Sequence, residues 1–291
     1  MAVKHSIKSI GLIVKRDRPQ ALAIARELSG LIRSRRLAAL AETDLADELA
    51  ATPLSREELV RRADLIVVLG GDGTLLGIAR LACERETPIL GINLGGLGFL
   101  TQAATDEAGT SLERVLSGDY EVDRRITLEM TIVNRGRARK EGRGAVMRAL
   151  NDVVINKRDL GRMLDLEVIA DHKKFCSYRA DGLIVATPTG STAYALSAGG
   201  PIVFPTLDVM VLAPICPHTL SNRPVVLPDT FDLEIRVTTP DLAAALTMDG
   251  QEMVTLGADD TVKIRKGKNA VMLIRSTHPY FEIWRNKLRW G

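Results

Sequence analysis

The first residues with the types and spacing to do chemistry lie at positions 65–76, which read Leu-Ile-Val-Val-Leu-Gly-Gly-Asp-Gly-Thr-Leu-Leu. An apolar run without alternation is typical of a parallel strand buried on both faces. The glycines behind it let the backbone turn sharply and leave no side chain between the backbone and a ligand. A helix that begins there offers free N–H groups and the positive end of its dipole to a phosphate. The segment therefore predicts a phosphate-binding loop between a strand and a helix.

Asp72 places a carboxylate inside this loop. A carboxylate repels phosphate unless a metal ion or a reacting hydroxyl group lies between the two, which is the arrangement required by a kinase whose general base stands on the loop. The alternative is a tight turn without chemistry, because Asp and Gly are ordinary turn residues. The glycine spacing misses the dinucleotide-binding fingerprint by one residue, and the chain contains no P-loop sequence. Both of those nucleotide-binding classes are therefore disfavoured.

Two further short segments carry polar groups suited to a nucleoside. Asn151 and Asp152 stand at the start of a predicted strand. A carboxylate can accept hydrogen bonds from two vicinal hydroxyls of a sugar, and an amide can read the edge of a base. Taken alone, the pair fits a turn that leads into a strand equally well. Residues 249–251, Asp-Gly-Gln, end another predicted strand and also fit a simple hairpin turn.

Residues 187–194 follow an apolar strand and are mostly small or hydroxylated. Ser191 or Thr192 is a natural N-cap for a helix predicted at 195–198. Hydroxyl and N–H groups would then converge on whatever lies at the start of that helix, and Tyr194 offers an aromatic face for a nucleobase. Because a helix entry needs only one hydroxyl residue, the surplus favours a binding loop over a purely structural one.

Composition excludes several classes of protein. The chain has 291 residues, 46% hydrophobic and 26% charged, which is typical of a globular protein large enough for two domains. A net charge of +3 gives little support to nucleic-acid binding. Three widely separated cysteines, Cys83, Cys176 and Cys216, indicate reduced thiols and neither a disulfide framework nor a zinc site. Without a signal-peptide pattern or a membrane-length apolar run, we expect a cytoplasmic protein that binds no membrane.

Strands and helices alternate in the first third of the chain. Strands are expected at 7–14, 65–70 and 88–92, and helices at 19–33 and 106–116 and from the Ser55-x-x-Glu58 capping box to Arg62. The alternation predicts a parallel sheet with right-handed crossovers, whose ligands bind at the carboxyl ends of the strands. Both glycine-rich segments, 70–74 and 93–99, fall at that edge.

Many short strands separated by turns follow, and they predict a β-sandwich-like domain. Strands are expected at 126–132, 153–156, 164–170, 183–186, 233–238, 244–248, 262–265 and 271–275. The fold class is therefore α/β plus β, with a Rossmann-like parallel α/β domain at 1–122 and a β-rich domain at 123–275. An amphipathic tail at 276–291 is expected to pack back on the first domain. The basic stretch at 134–148 is interpreted as a solvated hairpin tip in preference to a phosphate-binding patch.

Six segments, in the same order and at matching spacing, resemble the NAD kinase family over nearly the whole chain. They are 70–74, 93–99, 151–152, 181–194, 214–224 and 249–251. The sequence GGDGT alone is shared with diacylglycerol kinases, sphingosine kinases and phosphofructokinases. TPTGSTAYALSAGGP and PICPHTLSNRP are far more specific, and their combination with GGDGT carries the resemblance.

The resemblance implies transfer of a terminal phosphoryl group to the 2′-hydroxyl of the adenosine ribose of NAD, which gives NADP. It implies that Asp72 is the catalytic general base and that Gly73 lies against the dinucleotide. Asn151 and Asp152 would hold the base and the ribose. The other NAD-binding residues implied are Arg162 and Arg179 at the phosphates, Asp181 near the nicotinamide, Thr192, Ala193, Tyr194, Ala195, Leu196 and Ser197 around the adenosine, and Gln251. The phosphate-donor loop would consist of Gly70, Gly71, Gly73 and Thr74.

Cofactor and partner expectations come from the same resemblance. They are Mg²⁺ or another divalent metal ion, with no protein ligand assigned, and ATP or polyphosphate as phosphoryl donor. A homo-oligomer, dimer or tetramer, is expected, and the choice between NAD and NADH as acceptor stays open. Two other functions also stay open. A lipid or sugar kinase of the same superfamily is disfavoured by the hydroxyl-rich loop, and a non-catalytic NAD sensor is disfavoured by the retained Asp72.

Overall fold

The computed structural model describes residues 7–96, 98–101, 103–134, 144–158, 161–239, 244–257, 260–275 and 277–290. The contacts within the chain divide it into two compact units. The first unit contains Met1–Arg124 and Val271–Gly291, and the second contains Arg125–Ala270. Strands and helices are numbered in chain order.

The first unit is built on an eight-stranded sheet. Its strands are β1 (Ser9–Val14), β2 (Ala38–Glu42), β3 (Thr52–Leu54), β4 (Leu65–Gly70), β5 (Ile89–Asn93), β6 (Ala103–Ala104), β7 (Val122–Arg125) and β20 (Val271–Ile274). They are ordered β3-β2-β1-β4-β5-β20-β7, and β6 pairs with β5. The pairs from β3 to β20 are parallel, and every residue of β4 is buried. The predicted parallel α/β sheet is therefore confirmed.

Five α-helices accompany this sheet: α1 (Pro19–Ser34), α2 (Arg56–Arg62), α3 (Asp72–Ala82), α4 (Ala108–Ser117) and α6 (Tyr280–Leu288). Pro19 opens α1, where its missing N–H costs no hydrogen bond. The predicted capping box at α2 is present: Ser55 Oγ accepts from Glu58 N at 3.2 Å, and Ser55 N donates to Glu58 Oε2 at 3.5 Å. The apolar face of α1 packs in the same core as β1 and β4.

The last strand of the first unit corrects a predicted domain boundary. Residues 271–275 were expected within a β-rich domain at 123–275, but β20 is a strand of the parallel sheet, with Leu273 opposite Ile89 of β5. Four apolar residues read the same way in either kind of sheet, so the local pattern could not assign β20. Helix α6, in the segment predicted to be a tail at 276–291, belongs to the first unit as well.

The second unit consists of two six-stranded antiparallel sheets. One has the order β15-β14-β13-β10-β17-β18 and the other the order β12-β11-β16-β19-β8-β9. The strands are β8 (Leu128–Asn134), β9 (Met147–Ala149), β10 (Asp152–Lys157), β11 (Leu164–Ala170), β12 (Lys173–Ala180), β13 (Gly182–Ala186), β14 (Val209–Ile215), β15 (Val225–Pro228), β16 (Leu233–Val237), β17 (Ala244–Met248), β18 (Glu252–Leu256) and β19 (Asp260–Lys266). Residues of both sheets share one apolar core, as the predicted β-sandwich requires.

Several elements of the second unit were not predicted. Strand β14 carries Pro214, a residue that disfavours a strand, and β12 begins with exposed polar residues. The predicted basic hairpin tip includes residues 135–143, which lie outside the described residues, as does Leu97 of the second glycine-rich segment. The flanking strands β8 and β9 do pair antiparallel, with Glu129 opposite Arg148. Among the helices that the structure describes, none has the length and apolarity to cross a membrane.

Candidate active site

The predicted glycine loop is shorter than expected, because α3 begins at Asp72 and β4 ends at Gly70. Gly71 is the N-cap residue and the only residue between the two elements. A Cβ on Gly70 would lie 2.6 Å from Thr74 Oγ1, so this position needs glycine for Thr74 to pack. A Cβ on Gly71 or Gly73 would meet no atom within 4 Å. The backbone at the start of α3 is therefore open to a ligand on that side.

The Asp72 carboxylate lies at the start of α3, where the helix dipole favours a negative charge, and it accepts four hydrogen bonds. Oδ2 accepts from Phe99 N at 2.9 Å, and Oδ1 accepts from Leu100 N at 3.1 Å and Thr101 N at 3.0 Å. The fourth donor is Thr101 Oγ1, 2.9 Å from Oδ1. These contacts bring together the two glycine-rich segments that the sequence placed at one edge of the sheet.

The second glycine-rich segment is shaped around this carboxylate. Gly98 N donates to Thr101 O at 2.8 Å and closes a turn. A Cβ on Gly98 would overlap Asp72 Oδ1 and would come within 2.6 Å of Thr101 Oγ1. Asn93 Nδ2 donates to Thr101 Oγ1 at 2.7 Å, and Asn93 Oδ1 accepts from Gly95 N at 2.9 Å. Only a residue without a side chain fits at position 98.

In the second unit, Asn151 and Asp152 lie where β10 begins, and Asp249 organises their backbone. Its carboxylate accepts from Leu150 N at 3.0 Å, Asn151 N at 2.7 Å and Asp152 N at 3.2 Å. Asp249 and Gly250 both have positive φ angles, 51° and 64°, in the turn from β17 to β18. Residues 249–251 thus do form a hairpin turn, and the turn also fixes the start of β10.

The hydroxyl-rich segment after β13 packs against the same backbone. Thr187 N donates to Asn151 O at 2.9 Å, and Thr187 Oγ1 donates to Leu150 O at 2.6 Å. Gly190 has room for no side chain, because a Cβ would overlap Asn151 O. The buried Asn151 Oδ1 has no hydrogen-bond partner among the described residues. An unpartnered buried acceptor at this point fits a donor group of a ligand.

Asp152 is only 4% exposed. Burial, and to a smaller extent the neighbouring Asp249 carboxylate, raises the pKa of Asp152 to about 7, although the hydrogen bond from Tyr194 N–H acts in the opposite direction. Removing a carboxylate from water disfavours its charged form, and a second negative charge nearby adds to that effect. A ligand that donates hydroxyl hydrogens to Asp152 would relieve both effects.

The hydroxyl groups of the segment do not cap the following helix, so that prediction is wrong. Helix α5 (Tyr194–Ser197) has Ala193 at its N-cap and no side-chain cap. Ser191 Oγ donates to Pro188 O at 2.6 Å and accepts from Val203 N at 3.0 Å, while Thr192 Oγ1 donates to Thr189 O at 3.3 Å. Both hydroxyl groups therefore bind carbonyl oxygens three residues earlier, in the turn that precedes α5. Tyr194, the predicted aromatic contact for a nucleobase, is 41% exposed.

The remaining predicted NAD-binding residues fall into two places. Thr192 to Ser197 and the exposed Gln251 lie at the end of the sheet where β10 starts, since Asp152 pairs with Ala186 and Val153 with Met248. Asp181 lies at the opposite end of β13, where its Oδ1 is 2.6 Å from Lys157 Nζ. The exposed Arg179 and Arg162 lie near that end, because Leu164 pairs with Ala180.

Three residues with structural roles at these sites were not in the predicted set. Thr101 donates hydrogen bonds to Asp72, and Asn93 donates one to Thr101. Asp249 accepts from the backbone of Asn151 and Asp152. The sequence signals were the polar residues that flank the second glycine-rich segment and the Asp-Gly pair at a strand end. No group of three or more His, Cys, Asp and Glu side chains with metal-site geometry occurs among the described residues.

Two family sequence models match the chain. The sequence model described as "ATP-NAD kinase N-terminal domain" matches residues 10–120, and the one described as "ATP-NAD kinase C-terminal domain" matches residues 150–276. The chain is 45% identical over 288 residues to a protein of Syntrophotalea carbinolica named NAD kinase, with 98% of this chain and 99% of that protein covered. It is 44% identical over 287 residues to the NAD kinase of Geotalea daltonii, at the same coverage.

Two solved structures resemble the fold closely. The yeast NADH kinase complexed with NADH superposes with a TM-score of 0.89 at 25% identity, covering 98% of this chain and 88% of that one. The NAD kinase from Archaeoglobus fulgidus in complex with ATP gives a TM-score of 0.76 at 26% identity, covering 97% and 98%. With both domain models and full-length relatives in agreement, the chain belongs to the NAD kinase family.

Proposed function

We propose that this chain transfers the terminal phosphoryl group of ATP to the 2′-hydroxyl of the adenosine ribose of NAD and releases NADP and ADP. The observation that carries the proposal is the Asp72 carboxylate, held on the first turn of α3 beside glycine backbone that is open to a ligand. The relatives named NAD kinase and the solved relatives that hold NADH or ATP support the choice of substrates.

Asp72 acts as the general base in this proposal. As the 2′-oxygen attacks the terminal phosphorus, the ribose O–H bond breaks and its proton passes to the Asp72 carboxylate. The bond between the terminal phosphorus and the bridging oxygen then breaks, and ADP leaves with the electron pair. General-base assistance of this kind contributes about a hundred- to ten-thousand-fold to rate.

The second unit supplies groups that hold the dinucleotide. Asp152 accepts from ribose hydroxyls, and the unpartnered Asn151 Oδ1 accepts from a donor on the base. We assign Arg162 and Arg179 to the phosphates and Asp181 to the nicotinamide. The adenosine is assigned to Thr192, Ala193, Tyr194, Ala195, Leu196, Ser197 and Gln251.

The donor phosphates are assigned to Gly70, Gly71, Gly73 and Thr74 at the start of α3, since a helix N-terminus binds anions. A divalent ion such as Mg²⁺ would neutralise charge on the transferring phosphoryl group. The described side chains form no cage for such an ion, so the donor phosphates are its expected ligands. We also expect the protein to be cytoplasmic and to form a homo-oligomer, either a dimer or a tetramer. Light scattering on the purified protein would test the oligomeric state.

The test is NADP formation by the purified protein with Mg²⁺, NAD and ATP. Polyphosphate in place of ATP, NADH in place of NAD, and diacylglycerol in place of NAD are run in parallel. NADP production from NAD and ATP is the expected result. NAD binding without NADP from any donor would favour a sensor, and phosphorylation of the lipid alone would overturn the substrate assignment.

A further inference from the structure

We propose that Thr101 is a positioning residue for this phosphoryl transfer, and that its hydroxyl group fixes the Asp72 carboxylate so that Oδ2 takes the proton. This inference rests on the proposed function, because it requires a substrate hydroxyl that loses its proton to Asp72.

The two oxygens of Asp72 are held unequally. Oδ1 accepts three hydrogen bonds, from Leu100 N, Thr101 N and Thr101 Oγ1, whereas Oδ2 accepts one, from Phe99 N. A carboxylate has about four favourable acceptor directions in total, two on each oxygen. Oδ1 is therefore saturated by the chain, and Oδ2 keeps a lone pair for a substrate hydroxyl. The transferred proton forms its new bond to Oδ2.

The direction of the Thr101 hydroxyl is set by its neighbours. A hydroxyl group has one hydrogen to donate. Asn93 Nδ2 donates to Thr101 Oγ1 at 2.7 Å, and Asn93 itself is oriented by the hydrogen bond from Gly95 N to its Oδ1. Thr101 Oγ1 is thus an acceptor on one side, and its single hydrogen points to Asp72 Oδ1. Successive hydrogen bonds that run in one direction strengthen one another.

The surroundings leave Thr101 little freedom to move. Thr101 is 0% exposed, and Asn93 is 9% exposed. A Cβ on Gly91 would lie 3.2 Å from Thr101 Cγ2, so the methyl group already packs close to β5. Thr101 therefore has two separable parts: a methyl group that packs against a strand, and a hydroxyl group that binds Asp72. A purely structural role would depend on the first part, and the proposed role depends on the second.

Two substitutions separate these parts. Thr101→Val keeps the shape and the methyl group and removes the hydroxyl, whereas Thr101→Ser keeps the hydroxyl and removes the methyl. A hydrogen bond to a charged group corresponds to about a ten- to hundred-fold effect on rate. We expect Thr101→Val to lower kcat by about that factor with little change in the KM values for NAD and ATP. Thr101→Ser should retain kcat within about three-fold of wild type, because serine keeps the hydroxyl group that binds Asp72.

The matched control is Thr43→Val, which removes a hydroxyl that binds Leu54 O in the same unit and should leave kcat unchanged. In an Asp72→Asn background, adding Thr101→Val should lower kcat no further, because the two residues act as one unit. A Ser variant slower than the Val variant, equal losses in both, or additive losses with Asp72→Asn would overturn the proposal. Absence of NADP formation by the wild type would instead reject the proposed function.

Discussion

Asp72 of the first unit and Asp152 of the second are both predicted to bind NAD, yet the surroundings of their carboxylates differ. Asp72 stands at the start of a helix and accepts four hydrogen bonds from a glycine-rich segment. Asp152 is buried beside the Asp249 carboxylate, and its pKa is raised to about 7. Four hydrogen bonds within the first unit therefore stabilise the charged form of Asp72, whereas burial and the Asp249 charge outweigh the single hydrogen bond from Tyr194 N–H at Asp152.

The difference indicates two kinds of work. A residue that must accept a proton in a fixed direction benefits from a rigid, preformed position. A residue that must recognise hydroxyl groups discriminates best when its carboxylate is buried. A ligand with those hydroxyls then stabilises the charge, whereas a competitor without them leaves the buried charge without that stabilisation. Substitutions at or beside each carboxylate test this difference.

The largest effect is expected from Asp72→Asn. The amide keeps the size of the side chain but cannot act as a base, so kcat should fall by about a hundred- to ten-thousand-fold. Circular dichroism should show a folded protein. Steady-state NADP formation is the measurement, and a kcat near that of wild type would remove Asp72 from the catalytic role.

Gly98→Ala should have the second-largest effect, because its Cβ would overlap Asp72 Oδ1. We expect a loss of about ten- to hundred-fold in kcat, together with a loss of stability of about 1–3 kcal/mol from overpacking. Gly96→Ala is the matched control in the same segment, since a Cβ there meets no atom within 4 Å. Equal behaviour of the two variants would show that the segment yields without disturbing Asp72.

Asp152→Asn tests the second unit. The carboxylate must be charged to accept from two ribose hydroxyls, so in the wild type the KM for NAD should fall as pH rises from about 6 to 8, through the raised pKa. In the variant this slope should disappear, and the KM at pH 8 should be about ten-fold higher than in wild type. Identical pH profiles for the two proteins would contradict the assignment.

The raised pKa of Asp152 also makes the free energy of unfolding depend on pH, and the Asp152→Asn variant should lose that dependence. The folded pKa, about 7, lies above the ordinary value of 3.8, so the folded protein binds an extra proton between these pH values. Stability of the unliganded wild type should therefore fall as pH rises through this window, by up to about 4 kcal/mol. Denaturant unfolding at several pH values should show a flatter profile for Asp152→Asn.

The smallest effect on NAD binding is expected from Asp249→Asn. Asparagine tolerates the positive φ of this position, and it removes the charge that helps to raise the pKa of Asp152. Its single amide oxygen can still accept from Asn151 N and Asp152 N, whereas Leu150 N loses its acceptor, which should lower stability by about 1–3 kcal/mol. The pH profile of the KM for NAD should shift to lower pH by less than about one unit. An unchanged profile would leave burial alone as the cause of the raised pKa.

Most of the first unit can be predicted from the sequence because its signals are local. The unbroken apolar run of β4, the capping box of α2 and Pro19 each depend on a few neighbouring residues. The role of Thr101 could not be read in the same way, since its hydrogen bond to Asp72 joins residues 29 positions apart. The sheet of β20 cannot be predicted from the sequence for a related reason: its pairing partners, and not its apolar residues, decide to which sheet it belongs.

The position of β20 has a consequence for how the protein is made. This strand lies between β5 and β7 in the sheet order, although nearly 150 residues separate it from β7 along the chain. While the ribosome is still synthesising the second unit, β5 lacks one of its hydrogen-bonded neighbours and presents an open edge to other nascent chains. Completion of the first unit must wait until residues 271–274 have been synthesised. A transcript truncated before codon 271 should therefore yield a product that aggregates, even though it encodes all of β1 to β7.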